Sequence, residues 1–464
     1  MSKAWKHSDA AQPQFPDDFQ VVKKAVLQVT DLKNNNNKYY AIEQHGGALG
    51  GKPVHRVFTH YGRTDDLESN PDAGMRESRY FATAPEAQQE FEKLLKAKTG
   101  PSKGYKEVAL ASSKIGSSKA RGTDVPVTAA AAASKKPSTL PAALQDLVAY
   151  VYSEATAALT TTVAAKITAH GIETPLGTLT LGQIEKGEEI LQQLFALFTA
   201  GKAGRKQLED GSGEFYSAIP HRLGRTRDAI KAAVIDSLVL FNQKQETLQL
   251  MKDMLTVNGE HGSVLFDASI DSQYRALGCE LVLLPPHGAA YEELAGHVVK
   301  SQVSHKNVKV VNVFTLKRPA EHAAFRTDIG NEQLLFHGSR ITNWVGILSR
   351  GMLMPKIVVS LGGNRTDAGW LGNGLYFADA ACASAFYTTA GKKLTRFLAV
   401  ARVALGEVKD YTKITYGLNA PPPGYHSTHG VRRSPTVKSA FDDNEYVVYD
   451  PRQQRLEYLV EFTA

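Results

Sequence analysis

Cysteine is nearly absent from this chain, since its 464 residues include only Cys279 and Cys382. Neither has a partner at C-x-x-C spacing, which excludes a structural zinc site of the multi-cysteine kind. We expect both thiols to be reduced, as in an intracellular protein. No apolar run approaches the roughly 18 to 20 residues that a membrane span needs. The N-terminus, MSKAWKH, lacks the apolar core of a secretory signal.

Negative charge is in short supply in the first third of the chain. Residues 1–136 hold 21 Lys and Arg against 15 Asp and Glu, whereas the whole chain has a net charge of +7 and a pI of about 9.0. A basic segment of this kind favours a polyanionic partner such as DNA or RNA. On charge alone, ordinary solubility charge explains it equally well.

The first 139 residues divide into three stretches by composition. Residues 1–20 are polar with two prolines and are predicted to be a disordered tail. Residues 21–110 alternate as strands do, and a helix is predicted from Pro85, which indicates a small α+β domain. Residues 111–139 are rich in Ser, Ala, Lys, Gly and Pro, which is typical of a linker.

The rest of the chain is predicted to form two further domains. Residues 140–256 have apolar residues at helical spacing and are predicted to be all-helical, with breaks at Pro175 and Pro220. Residues 265–464 change to short strands and long polar loops, which indicates a β-rich α+β domain. No Gly-x-Gly-x-x-Gly follows an opening strand, so a Rossmann fold is disfavoured. The fold class is therefore multidomain α+β.

Three short segments of the last domain carry chemistry. They are LLFHGSR at 334–340, GNGLYFAD at 372–379 and NEYVVYD at 444–450. Each is a β-prone run that ends at, or surrounds, a polar or aromatic residue. In this order they resemble the His-Tyr-Glu set of the ADP-ribosyltransferase fold of poly(ADP-ribose) polymerases. The resemblance continues through ITNWVGILSRG at 341–351 and SAFY at 384–387.

The resemblance extends to nearly all of the chain after residue 20. Residues 21–110 are similar to the WGR domain, although its Trp-Gly-Arg tripeptide here reads Tyr61-Gly62-Arg63. Residues 140–256 are similar to the helical regulatory domain, which is autoinhibitory in the family. Residues 265–464 are similar to the catalytic domain. This order is that of the short, zinc-finger-free, DNA-dependent members of the family.

The resemblance implies an enzyme that uses NAD+ as its substrate and needs no metal. Glu445 would supply negative charge beside the oxocarbenium-like transition state and polarise the acceptor hydroxyl. Asp443 is the less favoured carboxylate because it lies two positions off the motif. His337 and Tyr376 complete the catalytic set. The implied NAD contacts are His337, Gly338, Ser339, Arg340, Asn343, Tyr376, Ser384 and Tyr387.

Two positions depart from the family pattern. Asn373 stands where polymer-forming members commonly have Lys, and Ala383 replaces a commonly basic neighbour of Ser384. These changes put polymer length and rate in question. Arg432 and Arg433 lie in a loop that resembles the acceptor site, where they would bind a pyrophosphate. A solvated basic loop is the alternative.

The first domain is expected to bind DNA strand breaks, with 5′-phosphorylated ends or nicks as the ligand. The residues implied are Tyr61, Gly62, Arg63, Lys103 and Lys106. For each lysine, an ordinary solvated face is the alternative. The acceptors would include the protein itself and DNA-repair or chromatin proteins, and an accessory factor could direct the choice of acceptor residue. The family's usual location implies the nucleus in a eukaryote, and the cytoplasm applies if the source is bacterial.

The leading hypothesis is a DNA-break-stimulated poly(ADP-ribose) polymerase. A mono-ADP-ribosyltransferase with the same site is the nearest alternative, although Glu445 argues against it because many mono-transferases have an apolar residue there. A non-catalytic DNA-break adaptor and an RNA-binding regulatory protein are the alternatives from other classes.

Overall fold

The computed structural model describes residues 3–70, 72–123, 137–163, 166–168, 171–201, 203–221, 223–259, 269–354 and 369–464. The described residues divide into two compact units. The first takes in residues up to 123 and those of 159–255. The second takes in 137–158, 256–259 and 269–464. Among the described residues, no helix is both long and apolar enough to cross a membrane.

The first unit begins with an antiparallel sheet in the order β1-β5-β4-β3-β2-β6, with one helix against it. Its elements are β1 (Trp5–Lys6), β2 (Gln20–Asp31), β3 (Asn36–Leu49), β4 (Lys52–Arg63), β5 (Met75–Phe81), α1 (Ala84–Thr99) and β6 (Lys106–Glu107). Thr83 caps α1 through a capping box with Glu86, and Pro85 lies in the first turn. The helix buries Ala87 and Phe91, which pack against the sheet and confirm the predicted amphipathic helix.

Along the chain, a second, smaller sheet and further helices follow. The elements are β7 (Leu110–Ser113), β8 (Gly122–Thr123), α2 (Ala142–Val163), β9 (Lys166–Thr168), β10 (Gly171–Glu173), β11 (Gly177–Leu179), α3 (Leu181–Thr199), α4 (Arg205–Ala218), α5 (Arg227–Ala232) and α6 (Leu238–Gly259). Of these, residues 142–158 of α2 and 256–259 of α6 belong to the second unit. The small sheet has the order β8-β7-β11-β10-β9. The helical spacing predicted for α2 is confirmed, since Leu144, Leu147, Val148 and Val151 are all buried.

The second unit is built on a nine-stranded sheet in the order β12-β13-β20-β16-β14-β15-β19-β18-β17. Its elements are α7 (Ile270–Ala276), β12 (Glu280–Leu283), α8 (Ala289–Lys300), β13 (Lys309–Lys317), α9 (Pro319–Ala324), β14 (Glu332–Gly338), α10 (Trp344–Arg350), β15 (Leu375–Ala378), α11 (Ala381–Ala385), β16 (Arg396–Ala404), β17 (Val408–Tyr411), β18 (Ser427–Gly430), β19 (Glu445–Val448) and β20 (Gln454–Thr463). Only β17 and β18 pair in parallel among these strands. The core lies around Phe336, Leu398 and Val460.

The N-terminal stretch differs from the disordered tail predicted for residues 1–20. Trp5–Lys6 pairs with β5, and the Phe19 ring stacks on His45 at a centroid distance of 4.3 Å. The Arg56 guanidinium lies 4.2 Å from the Phe15 ring centre. The two phenylalanines give this polar stretch enough apolar surface to pack, which its average composition hides.

Two other sequence expectations need correction. The linker predicted over 111–139 is folded in its first part, because β7 and β8 join a sheet and the Ser117 amide donates to the Glu43 carboxylate at 2.8 Å. Its residues 124–136 lie outside the described part of the chain. The segment 140–256 is not all-helical, since β9, β10 and β11 interrupt it. These strands are three residues long, too short to show a period-2 pattern.

Candidate active site

The three residues predicted to form the catalytic set lie on neighbouring strands of the nine-stranded sheet. His337 is on β14, Tyr376 is on β15 and Glu445 begins β19. Ala378 of β15 pairs with Phe336 of β14 on one side and with Glu445 on the other. The sheet therefore brings together residues that are up to 108 positions apart in the sequence.

The sheet opens between β14 and β15. Phe336 and Ala378 form the one registered pair between these two strands, all of whose residues are described. Beyond that pair, a side-chain hydrogen bond replaces the backbone bonds between the two strands: the Nδ1–H of His337 donates to the Tyr376 carbonyl at 2.9 Å. That bond leaves Nε2 as an acceptor. Burial lowers the pKa of His337 below its ordinary value, so the ring is neutral near pH 7.

Gly338 ends β14 where the strand meets α11. A Cβ at this position would lie 1.9 Å from the Ser384 carbonyl oxygen, which only glycine permits. The Ser384 hydroxyl donates to the Phe336 carbonyl at 2.9 Å, and the side chain is buried. Strand end and helix are thus held in close contact, with the Ser384 oxygen still able to accept a second hydrogen bond.

Tyr376 fastens the segment before β15 with its hydroxyl. That group donates to the Gly372 carbonyl at 2.7 Å and accepts from the Leu371 amide at 2.9 Å. The ring packs against a small core of Leu371, Phe441 and Val447. Tyr376 therefore shapes one wall of the opening rather than standing free in it.

The other predicted NAD residues line the segments after β14 and α11. Asn343 donates from Nδ2 to the Ser339 hydroxyl at 3.1 Å, so the two form one polar unit. Arg340 is exposed. Tyr387 is 54% exposed, and its ring lies 5.7 Å from that of Phe386 in an edge-to-face contact.

Glu445 lies between two small residues, with Ala378 opposite it on β15 and Gly430 opposite it on β18. No described residue donates a hydrogen bond to its carboxylate in this structure. Burial, together with the charges of Asp443 and Asp442, raises the pKa of Glu445 to about 7. A half-buried carboxylate with no hydrogen bond from a described residue can act on a ligand, whereas Asp443 forms an ion pair with Arg432 at 3.5 Å.

Two residues that the sequence placed at the acceptor site have partners of their own. Arg432 donates to Asp379 at 2.7 Å, and Arg433 pairs with Asp442 at 2.7 Å on the surface. Asn373, which stands in place of the common lysine, is buried and donates to Asn419 at 2.8 Å. The polar loop at 355–370 lies outside the described residues except for its last two positions.

Sequence reasoning missed the polar residues that hold the start of β19. Asn444 donates to Asp379 at 2.8 Å and accepts from His429 at 3.0 Å. The His429 ring stacks on Tyr446 at a centroid distance of 4.4 Å. Asp379 and Asn444 each adjoin a motif residue, and that adjacency was the available signal.

Family models match the chain in three parts. Residues 23–111 match the WGR domain, residues 138–264 the poly(ADP-ribose) polymerase regulatory domain, and residues 289–464 the poly(ADP-ribose) polymerase catalytic domain. The chain belongs to the poly(ADP-ribose) polymerase family. Along this chain the order is therefore WGR, regulatory and catalytic domain.

The chain is similar to family members named as mono-ADP-ribosyltransferases and to others named as poly(ADP-ribose) polymerases. The chain is 35% identical over 291 residues to mouse "Protein mono-ADP-ribosyltransferase PARP4", covering 62% of this chain and 14% of that protein. It is 29% identical over 322 residues to human "Poly [ADP-ribose] polymerase 2", covering 62% of this chain and 53% of that protein. It is 28% identical over 323 residues to Drosophila melanogaster "Poly [ADP-ribose] polymerase", covering 61% and 31%. The chain thus spans about half the length of these relatives at most.

The WGR domain shows a different arrangement at its predicted ligand residues. Tyr61 stacks on Tyr40 at 5.1 Å and donates to Glu77 at 3.0 Å. Arg63 donates to the Asn35 carbonyl at 2.9 Å and contacts Asp65 at 3.3 Å. Both side chains are therefore engaged inside the domain.

The remaining predicted DNA contacts surround these two. A Cβ on Gly62 would lie 3.1 Å from the Tyr39 hydroxyl, so glycine allows close packing there. Lys103 is exposed, and Lys106 is 4.0 Å from Glu214 with its side chain 55% exposed. The lysines are the accessible positive charges of this set. Among the described residues, no cluster of three or more His, Cys, Asp or Glu could hold a metal.

Proposed function

We propose that this protein transfers ADP-ribose from NAD+ to protein acceptors and releases nicotinamide. The observation that carries the proposal is Glu445, a half-buried carboxylate with no hydrogen bond from a described residue. It lies opposite Ala378 of β15, the residue that on its other side pairs with Phe336 of β14. A fixed negative charge in such a place stabilises the positive charge that develops on the ribose as the bond to nicotinamide breaks.

The neighbouring residues are suited to bind the nicotinamide and the ribose, which the reacting bond joins. The backbone of Gly338 and the Ser384 oxygen would hold the nicotinamide amide, with the ring between Tyr387 and Tyr376. His337 would accept a hydrogen bond from a ribose hydroxyl through Nε2, because its Nδ1–H is already donated to Tyr376. His337 positions the substrate and moves no proton. Ser339, Arg340 and Asn343 would face the adenosine half.

We further propose that the product is poly(ADP-ribose), made on the protein itself and on DNA-repair or chromatin proteins, and that DNA strand breaks stimulate the reaction. Glu445 supports chain elongation, because a carboxylate there can polarise the hydroxyl of the growing chain. The WGR match supports DNA as the stimulus, and a relative named a poly(ADP-ribose) polymerase aligns with 62% of this chain.

Mono-ADP-ribosylation is the second candidate, and one specific observation favours it. Asn373 bonds to Asn419 and offers no positive charge where polymer-forming members commonly have Lys. The mouse relative of higher identity is named a mono-ADP-ribosyltransferase. Under this alternative Glu445 still supports nicotinamide release, but one unit is added to each acceptor.

The test is to incubate the purified protein with NAD+ labelled in its adenylate part, with and without 5′-phosphorylated nicked duplex DNA. Products are separated on a denaturing gel beside those of Glu445→Gln. A DNA-stimulated ladder that the variant reduces to a single addition supports the polymerase. A single sharp band from the wild type supports the mono-transferase, and absence of label transfer in every lane rejects transferase activity.

A further inference from the structure

The residues between β18 and β19 form a network that fixes the position of Glu445. Arg432 donates from its side chain to Asp379 at 2.7 Å and from its backbone amide to the Asn444 side chain at 2.8 Å. Asn444 closes the triangle by donating to the other oxygen of Asp379 at 2.8 Å. We call Arg432, Asp379 and Asn444 the β19 clamp.

The clamp lies one residue beyond the pair that contains Glu445. Ala378 of β15 pairs with Glu445 of β19. Because the two strands are antiparallel, the next pair of positions is Asp379 and Asn444. The side-chain bond between Asp379 and Asn444 therefore continues the ladder where the backbone pairing ends. Both oxygens of Asp379 are used, one for each partner, so its rotamer is fixed.

Charge is the second contribution of Arg432. The charges that act on Glu445 itself are those of Asp443 and Asp442 on its own segment. The charged and titratable groups of the adjoining network are Asp379, Arg432, His429 and Tyr446. Arg432 faces both Asp379 and Asp443, with its side chain 23% exposed. Arg433 pairs with Asp442 where both side chains are more than 60% exposed, so solvent weakens its effect.

His429 supports the same network from β18. It contacts Asp410 at 2.9 Å and Asn444 at 3.0 Å through its two ring nitrogens. Asn444 Oδ1 is thus reached by His429 and by the Arg432 amide together. Arg432 is held from its backbone as well as from its side chain, which disfavours a swing towards an incoming chain.

We propose that Arg432 is a positioning residue for Glu445, which it holds in place through Asp379 and Asn444, and not a residue that binds the acceptor chain. The proposal deepens the proposed function and rests on it. Removing Arg432 would loosen the start of β19 and leave Asp379 and Asp443 without their shared cation. More negative charge near Glu445 makes its ionisation harder.

The experiment compares Arg432→Gln, Arg432→Lys and Asp443→Asn with the wild type, and uses Arg452→Gln, in a surface ion pair with Asp450, as the control. The rate of nicotinamide release at saturating NAD+ is measured from pH 5.5 to 9.5. Circular dichroism checks that each variant is folded. For Arg432→Gln we expect a lower kcat at unchanged KM and an acid limb displaced upward by about half a pH unit or more.

The other variants should displace the acid limb of the pH–rate profile in defined directions. Arg432→Lys keeps a cation and should return the limb towards its wild-type position. Asp443→Asn removes a negative charge and should displace the limb downward. Arg452→Gln should leave the limb within about 0.2 pH units, because the side chain of Arg452 is 58% exposed and pairs with Asp450 on the surface. The proposal would be overturned if Arg432→Gln kept the wild-type acid limb and the wild-type rate of nicotinamide release and only made shorter poly(ADP-ribose) chains. That result would favour acceptor binding by Arg432.

A second measurement needs no activity. The carboxyl carbon of Glu445 is followed by NMR in protein labelled at glutamate, with the signal assigned by its loss in Glu445→Gln. An upward displacement of its titration midpoint in folded Arg432→Gln supports the proposal, and an unchanged midpoint overturns it. If the wild type releases no nicotinamide, the proposed function fails, while this titration still decides the role of Arg432.

Discussion

Glu445 in the catalytic sheet and Arg63 in the WGR domain differ in whether their side chains are hydrogen-bonded to other residues of the protein. Glu445 has no hydrogen bond from a described residue, whereas Arg63 donates to Asn35 and Asp65. Asn35 and Asp65 in turn contact Arg225 and Leu223 in the same unit. A motif therefore identifies a position, but whether its side chain is available to a ligand depends on neighbours that the motif does not contain.

Among the variants that alter packing, the largest effect should come from Gly338→Ala, which tests how closely β14 and α11 must approach. The new methyl group would meet the Ser384 carbonyl at 1.9 Å, so β14 and α11 must separate. We expect kcat/KM for NAD+ to fall by about 100-fold and the free energy of unfolding by about 2–4 kcal/mol. Nicotinamide release and denaturant unfolding measure the two.

Gly296→Ala is the matched control for that variant. Gly296 lies in α8, and a Cβ there meets nothing within 4 Å. Alanine in a helix should be neutral or stabilising. Equal losses in both variants would show that the close approach at Gly338 is unimportant.

Tyr376→Phe should give the next largest effect. It removes the hydroxyl that bonds Leu371 and Gly372 and leaves a backbone amide without its partner. We expect kcat/KM to fall about tenfold, which corresponds to about 1.4 kcal/mol. Tyr411→Phe is the control, because Tyr411 packs against the same core and its hydroxyl has no hydrogen bond to a described residue. Unchanged kinetics in Tyr376→Phe would contradict a role for the hydroxyl.

Arg63→Gln sharpens the comparison in the WGR domain. Because Arg63 bonds internally, the variant should lose about 1–2 kcal/mol of unfolding free energy without any DNA present. Lys103→Gln, at an exposed position, should leave stability unchanged and reduce the salt dependence of DNA binding. Loss of DNA affinity in Arg63→Gln with no change in the free energy of unfolding would show instead that Arg63 contacts a DNA phosphate.

The smallest effect concerns stability against pH. The pKa of Glu445 is raised to about 7, so its folded form takes up a proton more readily than the unfolded chain does. The cost of its ionisation is absent at low pH, grows above the unfolded value of 4.5 and is complete above about pH 7.

Glu445→Gln removes that cost and should therefore stabilise the protein more at pH 8 than at pH 5. Since the carboxylate is partly exposed, we expect a difference of about 1–2 kcal/mol, less than the full pKa shift implies. Glu457→Gln is the contrasting variant, because Glu457 pairs with Arg402 and Arg455 and should not be stabilised. A pH-independent result for Glu445→Gln would contradict the raised pKa.

The sequence predicted the order of domains, the long helices and the three strands that bring His337, Tyr376 and Glu445 together. Periodicity succeeded where elements are long, as in α2, and failed for the three-residue strands β9 to β11. Composition failed at residues 1–20, because two phenylalanines decide the packing of a polar stretch. The positions of Asp379 and Asn444 next to the motifs marked them as candidates, but their bond to each other could not be predicted, since it depends on strand register.

The most direct test of the account is the rate of nicotinamide release from NAD+ between pH 5.5 and 9.5 for the wild type and Glu445→Gln. The wild-type rate should rise through about pH 7 as Glu445 ionises, and the variant should be at least about 100-fold slower and lack that rise. A variant rate within about threefold of the wild type, or the same rise in both proteins, would contradict Glu445 as the charge on which the reaction depends.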